Sequence, residues 1–185
     1  MEEQKLIELA KAGDRHALSE LVKKYEKTVY SFAFKICRDR DKAENTMQET
    51  FLSMVKSLYQ FDSRSKLSTW LYRITMNHCL MEARSKKHQF VDIDNEESVI
   101  DERYLTDWET LPLKSVENKE LKEILDKAIE KLAPEYRIVF MLRDVEQNST
   151  EETAQITGLT EAAVKSRLHR ARGFLRNEIT KAFQK

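Results

Sequence analysis

The chain has 185 residues, enough for one or two small domains. Charged side chains make up 35% of it and there are only three glycines and two prolines, a balance that favours helices joined by short loops and argues against a sheet-rich fold. The formal net charge is zero, but residues 1–88 carry +5, residues 89–117 carry −7 and residues 118–185 carry +2, so two basic blocks flank an acidic one.

The predicted elements are helices nearly throughout. A short helix over residues 2–12 ends at Gly13. Asp14 can cap a long second helix that turns Leu18, Leu21, Val22, Tyr25, Val29, Phe32 and Ile36 to one face. The charged run Arg38–Asp41 breaks it. A third helix over about 42–59 is expected to bury Ala43, Met47, Phe51, Met54, Val55 and Leu58, and a loop over 61–68 leads to a fourth helix from Thr69 to Lys87 carrying Trp70, Leu71, Ile74 and Met81. Four such helices hold enough apolar surface for one bundle domain.

Residues 88–117 lose all periodicity and hold a cluster of acids and Pro112, the pattern of an extended, poorly ordered linker. Order returns near Asn118, with Leu121, Leu125, Ala128, Ile129 and Leu132 on one helix. Pro134 suits the first turn of the next, which carries Ile138, Val139, Met141, Leu142 and Val145. Ser149 with Glu152 spells a capping box, Gly158 a tight turn, and Thr160 a further cap. On the last helix Val164, Leu168, Ala171 and Leu175 form a narrow apolar stripe, with Ser166, His169, Arg170 and Gly173 opposite. Lys165, Arg167, Arg172 and Arg176 add positive charge, and no acid intervenes between Lys165 and Arg176. A short helix, a glycine turn and a longer basic helix make the helix-turn-helix pattern, whose slim outer face fits a DNA major groove. The fold class is therefore all-α: a four-helix, bundle-like domain over 1–88, an acidic linker over 89–117, and a helix-turn-helix domain over 118–185.

Aromatic and basic residues interleave from Phe61 to His88 (Phe61, Arg64, Lys66, Trp70, Tyr72, Arg73, Arg84, Lys86, Lys87, His88), with Glu82 the only acid after Asp62. Cations hold phosphates and aromatic rings hold unstacked bases, which suits melted DNA better than intact duplex. Trp70, Ile74, Asn77 and Met81 share an arc of about 60°, so Trp70 reads as a core residue as well as a stacking one. Asn77 is either a satisfied buried amide or a rim residue that reads a base edge.

Cys37 and Cys79 lack a CxxC pair and are expected to be reduced and packed. No apolar run approaches the roughly 20 residues of a membrane span, so a cytoplasmic protein without membrane insertion is expected. No nucleophile–base pair, metal cluster or glycine-rich phosphate loop stands out, so neither catalysis nor a cofactor is expected. Two other readings remain open: a regulator that binds duplex DNA by itself, and a metal- or redox-switched sensor or enzyme built on Cys37, His78 and Cys79.

Four stretches, AENTMQETFLSMVKSLYQF (43–61), STWLYRITMNHCL (68–80), LAPEYRIVFMLRDVE (132–146) and STEETAQITGLTEAAVKSRLHRAR (149–172), resemble bacterial RNA polymerase sigma factors of the extracytoplasmic-function group, in the family's order. The resemblance implies a promoter-recognition factor whose partners are core RNA polymerase, through its β′ clamp helices and β flap, promoter DNA, and in some cases an anti-sigma factor. It implies polymerase contacts at Gln48, Glu49, Ser53 and Lys56 and a melting loop over Phe61–Ser68. Minus-ten contacts would come from Phe61, Arg64, Lys66, Trp70, Arg73 and Asn77, the last at the position that holds a flipped base. For the minus-thirty-five element it implies base reading by Lys165, Ser166, His169 and Arg170 and phosphate contacts by Arg167 and Arg172. The linker would thread toward the polymerase active centre and RNA exit path, where acidic charge imitates RNA. One departure stands out: the family usually has an acid at the place of Asn45, and phosphorylation of the neighbouring Thr46 would restore that charge.

Overall fold

In a computed structural model of the chain, residues 2–85 and 119–183 are described. They belong to two compact units divided after Lys86, and every regular element among them is helical. The predicted linker over 89–117, and Lys86, Lys87 and His88, lie outside the described residues. No helix among the described residues is long and apolar enough to cross a membrane.

The first unit comprises α1 (Glu3–Lys11), α2 (Arg15–Cys37), α3 (Arg40–Ser57), a 3-10 turn (Leu58–Gln60) and α4 (Leu67–Ser85). Its punctuation follows the side chains. Gly13 supplies φ +93° between α1 and α2. The Asp14 carboxylate accepts from the His16 and Ala17 N–H groups at 2.8 and 3.1 Å, two donors that the first turn of α2 leaves unpaired. At the far end Arg38 turns left-handed (φ 55°) and Asp39 accepts from the Lys42 N–H at 3.0 Å, so the charged run both ends α2 and starts α3. Leu21, Val29, Phe32, Met54, Leu67 and Leu71 are almost wholly removed from water, and the Phe32 ring meets Tyr72 at 4.5 Å.

Helices α3 and α4 meet differently from the apolar expectation. Thr46, Thr50 and Ser53 lie one turn apart on one side of α3, where Thr50 and Ser53 meet α4 and Thr46 meets Cys37 at the end of α2. The Thr50 hydroxyl donates to the Thr46 carbonyl (2.7 Å) and sits 3.3 Å from the Thr75 hydroxyl, which donates to the Leu71 carbonyl (2.8 Å). Ser53 Oγ lies 3.0 Å from His78 Nε2. This hydroxyl seam takes the buried side of α3 and rotates the helix relative to the expected register. Val55, expected inside, is 48% exposed, and Met81 on α4 is 65% exposed. Thr46 is only 4% exposed and 3.8 Å from Cys37 Sγ, which removes it as a phosphorylation site: a dianion there would be stripped of water.

The second unit comprises α5 (Lys119–Lys131), α6 (Pro134–Phe140), a single π-helical turn (Met141–Val145), α7 (Thr150–Thr157) and α8 (Glu161–Phe183). Pro134 opens α6 as its fixed φ predicts. Leu132, Val139, Phe140, Val164, Ala171 and Leu175 form the centre of the core. Arg137, 4% exposed, donates to three carbonyls at the end of α5, those of Ile129 (3.0 Å), which also accepts from the Leu132 N–H, Glu130 (2.7 Å) and Leu132 (2.8 Å), where a helix terminus runs short of backbone donors. From the π turn, Asp144 receives a two-pronged bond from Arg172 on α8, Nε at 2.9 Å and Nη2 at 2.6 Å, with both side chains mostly buried (18% and 9% exposed). Gly173, expected opposite the apolar stripe, is buried beside Phe174, because the C-terminal half of α8 packs against α5 as well and its inward sector widens.

Two outcomes follow from this packing. Thr46→Glu should lower unfolding stability by about 3 kcal/mol, since a carboxylate would stand unpaired in the seam; thermal melting within 1 °C of the parent would contradict the burial. Asp144→Ala and Arg172→Ala should each cost about 3 kcal/mol, because each strands a desolvated charge. The double variant should cost clearly less than the two together, and additive losses in a double-mutant cycle would show that the two groups do not act as a pair.

Candidate nucleic-acid interface

The helix-turn-helix is set by local chemistry. Ser149 accepts from the Glu152 N–H (3.0 Å) while the Glu152 carboxylate accepts from the Ser149 N–H (2.9 Å), a complete capping box at the start of α7. Gly158 takes φ +72° at its end, and the Thr160 hydroxyl accepts from the Ala163 N–H (3.2 Å) to start α8. Val164, Leu168, Ala171 and Leu175 are all buried, as the stripe predicts. Lys165, Ser166 and Arg170 are exposed, and His169 is partly exposed on the same side. The Arg167 guanidinium lies 6.0 Å from the centre of the Tyr136 ring, close enough for a cation–π contact that aims it along the domain surface. Arg172 does not belong with these outward residues: its fork is committed to Asp144, so it braces α8 rather than offering a free cation to a phosphate.

The first unit offers a second surface. On α4, Trp70, Ile74, Asn77 and Met81 fall on the side away from the buried Leu71, Thr75 and Cys79. Asn77 is exposed, which removes the buried-amide alternative. Arg73 and Arg84 flank it, both exposed. Trp70 is half-buried, its ring 5.3 Å from that of Phe61, so one edge packs and the other stays open. Phe61 itself is 5% exposed, under the Lys11 ammonium at 5.8 Å, with Lys11 also donating to the Phe61 carbonyl. This corrects its expected role: its ring plugs the core instead of facing a base. Leu67 is 1% exposed, so the loop is pinned at both ends and presents only its polar tip. In that tip Arg64 and Lys66 are exposed, and Arg64 folds back on Asp62, its N–H 3.1 Å from the carboxylate. The Arg64 backbone N–H, followed by its side chain, holds the Asp62 carboxyl below the usual carboxylate range.

A third surface lies on α3. Gln48, Glu49 and Lys56 are exposed, whereas Ser53 turns partly inward to His78. Sequence reasoning missed the apolar part of this face. Leu52 (51% exposed), Val55 (48%) and Tyr59 (69%) stand in a row with Gln48. At 100° per residue the α3 positions Gln48, Leu52 and Val55 fall within about 60° of one another, and Tyr59 continues the row from the 3-10 turn; the hydroxyl stripe on the opposite side was the available signal. Of the trio Cys37, His78 and Cys79, only the two sulfurs come together, at 3.0 Å, while His78 points to Ser53.

Comparison with known proteins agrees with this arrangement. Residues 21–89 match the family model for sigma-70 region 2 and residues 122–175 that for sigma-70, region 4, together about two-thirds of the chain. The chain is 29% identical over 178 residues to the ECF RNA polymerase sigma factor SigW of Bacillus subtilis, covering 95% of each protein. It is 29% identical over 183 residues to the ECF RNA polymerase sigma-E factor of Escherichia coli, covering 96% of this chain and 94% of that one. Two solved structures share the fold: CnrH in complex with the cytosolic domain of CnrY (TM-score 0.66, 21% identity, 95% of each chain) and RpoE with the anti-sigma factor NepR from Bartonella quintana (TM-score 0.63, 21% identity, 88% of this chain and 96% of that one). With a region 2 surface on α3 and α4, a region 4 helix-turn-helix on α7 and α8, and full-length relatives of one kind, the chain belongs to the sigma-70 family, in its extracytoplasmic-function group.

Proposed function

We infer that the protein is a promoter-specificity factor that binds core RNA polymerase and directs it to promoters, with no catalytic step of its own, acting in the cytoplasm. The observation that carries this is the pairing, in one chain, of a region 2 unit with an apolar stripe on α3 and a basic, aromatic arc on α4, and a region 4 unit with a basic recognition helix.

The residue roles follow from chemistry. Leu52, Val55 and Tyr59, rimmed by Gln48, Glu49 and Lys56, form the polymerase-docking stripe, since exposed apolar rows on a helix mark partner surfaces. Trp70, Arg73 and Asn77, with Arg64 and Lys66 in the loop tip, hold the opened minus-ten strand; the cations bind phosphate, and the Asn77 amide both donates to and accepts from a base edge. Lys165, Ser166, His169 and Arg170 read the minus-thirty-five duplex, and Arg167 holds a phosphate. An anti-sigma protein would act by covering these surfaces; the complexes named for CnrH and RpoE support such a partner. The divided layout explains why two modest surfaces suffice: once core polymerase fixes both, the second contact gains effective concentration from the first.

Purified protein should start specific transcription only with core enzyme present. Leu52→Asp should weaken core binding at least tenfold with an unchanged melting temperature, because the side chain contributes to docking and not to the fold. Tight operator binding by the free protein, with no stable core complex, would establish the stand-alone regulator instead.

Asn77→Ala should slow opening of a fully paired promoter and recover on a template pre-melted as a mismatched bubble, since base capture offsets an unstacking cost of a few kcal/mol. Arg170→Ala should lose about 1–3 kcal/mol of promoter discrimination and gain little from the bubble, its defect preceding opening. Equal rescue of both variants would merge the two roles that are separated here.

A further inference from the structure

Cys37 is the last residue of α2 and Cys79 lies within α4, 42 residues away, yet their sulfurs are 3.0 Å apart. Neither is part of a disulfide. Cys79 is 2% exposed and Cys37 partly exposed, so one thiol is reachable from solvent and the other waits behind it. Neither takes part in the docking stripe or the minus-ten arc: Cys79 points to the opposite side of α4 from Asn77 and Met81.

We propose that Cys37 and Cys79 form a reversible thiol–disulfide couple, oxidised by peroxide, that clamps the end of α2 to α4. The Cys37 thiolate attacks one peroxide oxygen; the O–O bond breaks, hydroxide leaves, and Cys37 becomes a sulfenic acid. The Cys79 thiolate then attacks the Cys37 sulfur; the S–S bond forms, the S–O bond breaks, and a second hydroxide leaves. With the two thiol protons, the balance is two thiols and one hydrogen peroxide giving one disulfide and two waters; the sulfurs are oxidised and the peroxide reduced. Hydrogen bonding from Cys79, helped by the Thr46 hydroxyl and the Lys42 charge, draws the Cys37 thiol below its ordinary range, against burial and the Glu82 carboxylate. That favours Cys37 as the attacking group. A couple of this kind in a reducing cytoplasm is a switch and not a permanent staple.

The clamp has a mechanical consequence. A disulfide is about 2.05 Å long, so oxidation draws the sulfurs together by about 1 Å and pulls α4 toward the end of α2. Interiors packed at crystal density pass such a shift on, and it acts across the seam that keeps α4 in register with α3 (Thr50–Thr75, Ser53–His78). The minus-ten arc therefore moves relative to the docking stripe, and initiation falls. This last effect rests on the promoter-factor reading; the disulfide itself does not.

The test uses the full chain, reduced, desalted and exposed to hydrogen peroxide, followed by alkylation under denaturing conditions and peptide mass mapping. The expected result is a monomer with a Cys37–Cys79 cross-link, no alkylated cysteine, reversal by dithiothreitol, and a melting temperature raised by roughly 5 °C or more. Transcription with core enzyme should drop several-fold and return on reduction, while Cys37→Ser should match the reduced parent and ignore peroxide. A sulfinic acid at Cys37 with Cys79 still open to alkylation, or cross-links only between chains, overturns the couple. A mapped cross-link with undiminished transcription overturns the clamp. If the reduced parent starts no transcription with core enzyme, the promoter-factor reading fails instead, and the mapping still decides the couple.

Discussion

Thr50 and Thr75 have no contact with solvent, so their hydroxyls must find partners inside the protein, and they find them in each other and in the carbonyls one turn back on their own helices. That requirement fixes the rotation of α3 and α4 about their axes. With the hydroxyl side of α3 turned to α4 and Phe51 and Met54 turned to the core, Leu52, Val55 and Tyr59 are left for solvent. With Leu71, Thr75 and Cys79 of α4 turned inward, Asn77 and Met81 are left outside. A few buried hydrogen bonds thus set the directions of two surfaces of the first unit, one apolar and one basic.

The second unit solves a related problem with charge. A recognition helix reads bases only if its axis and rotation are held, and an apolar stripe alone permits some rolling. The fork from Arg172 to Asp144 adds a directional bond across that stripe, anchored in the π-helical turn that follows α6. The capping box and the left-handed Gly158 fix the entry angle of α8 from the other end. Lys165, Ser166 and Arg170 are exposed on a helix that is tied at its start, at its middle and, through the Lys131–Glu178 pair, near its end.

Much of this is legible from residue order because the signals are local. Asp14, Ser149 with Glu152, and Gly158 each act on backbone groups within three or four residues, and each does what its position predicts. The stripe on α8 is equally plain because one strong periodicity dominates it. Reading fails where a distant partner decides. Val55 looks like core until the threonines take the inward side of its helix. Phe61 looks like a base-stacking ring until α1 and Trp70 close over it, and Arg172 looks like a phosphate contact until Asp144, 28 residues away, claims it. Thr46 reads as a surface threonine for the same reason, since a hydroxyl does not announce burial. Side-chain type suggests an environment, but for residues able to live in two environments only the packed neighbours choose between them.

Arg137 has a bearing on how the molecule meets acid. Its guanidinium ties the end of α5 to α6 through three carbonyl oxygens, and neither side of those bonds titrates: carbonyls carry no proton and a guanidinium keeps its own at any pH a cell reaches. The first unit fastens α1 to α2 in another currency. There the Glu3 carboxylate accepts from Lys24 and from the Tyr25 hydroxyl (2.9 Å), and the Lys24 bond leads in holding its carboxyl below the ordinary value. A carboxyl so depressed contributes fully above its unfolded value and loses its contribution as pH falls through the folded one. Acidification therefore loosens the packing of α1 on α2 and, in the second unit, the tie from Lys131 to Glu178, whose carboxyl is likewise held below its ordinary value against the effect of burial, while the α5–α6 joint at Arg137 stays closed.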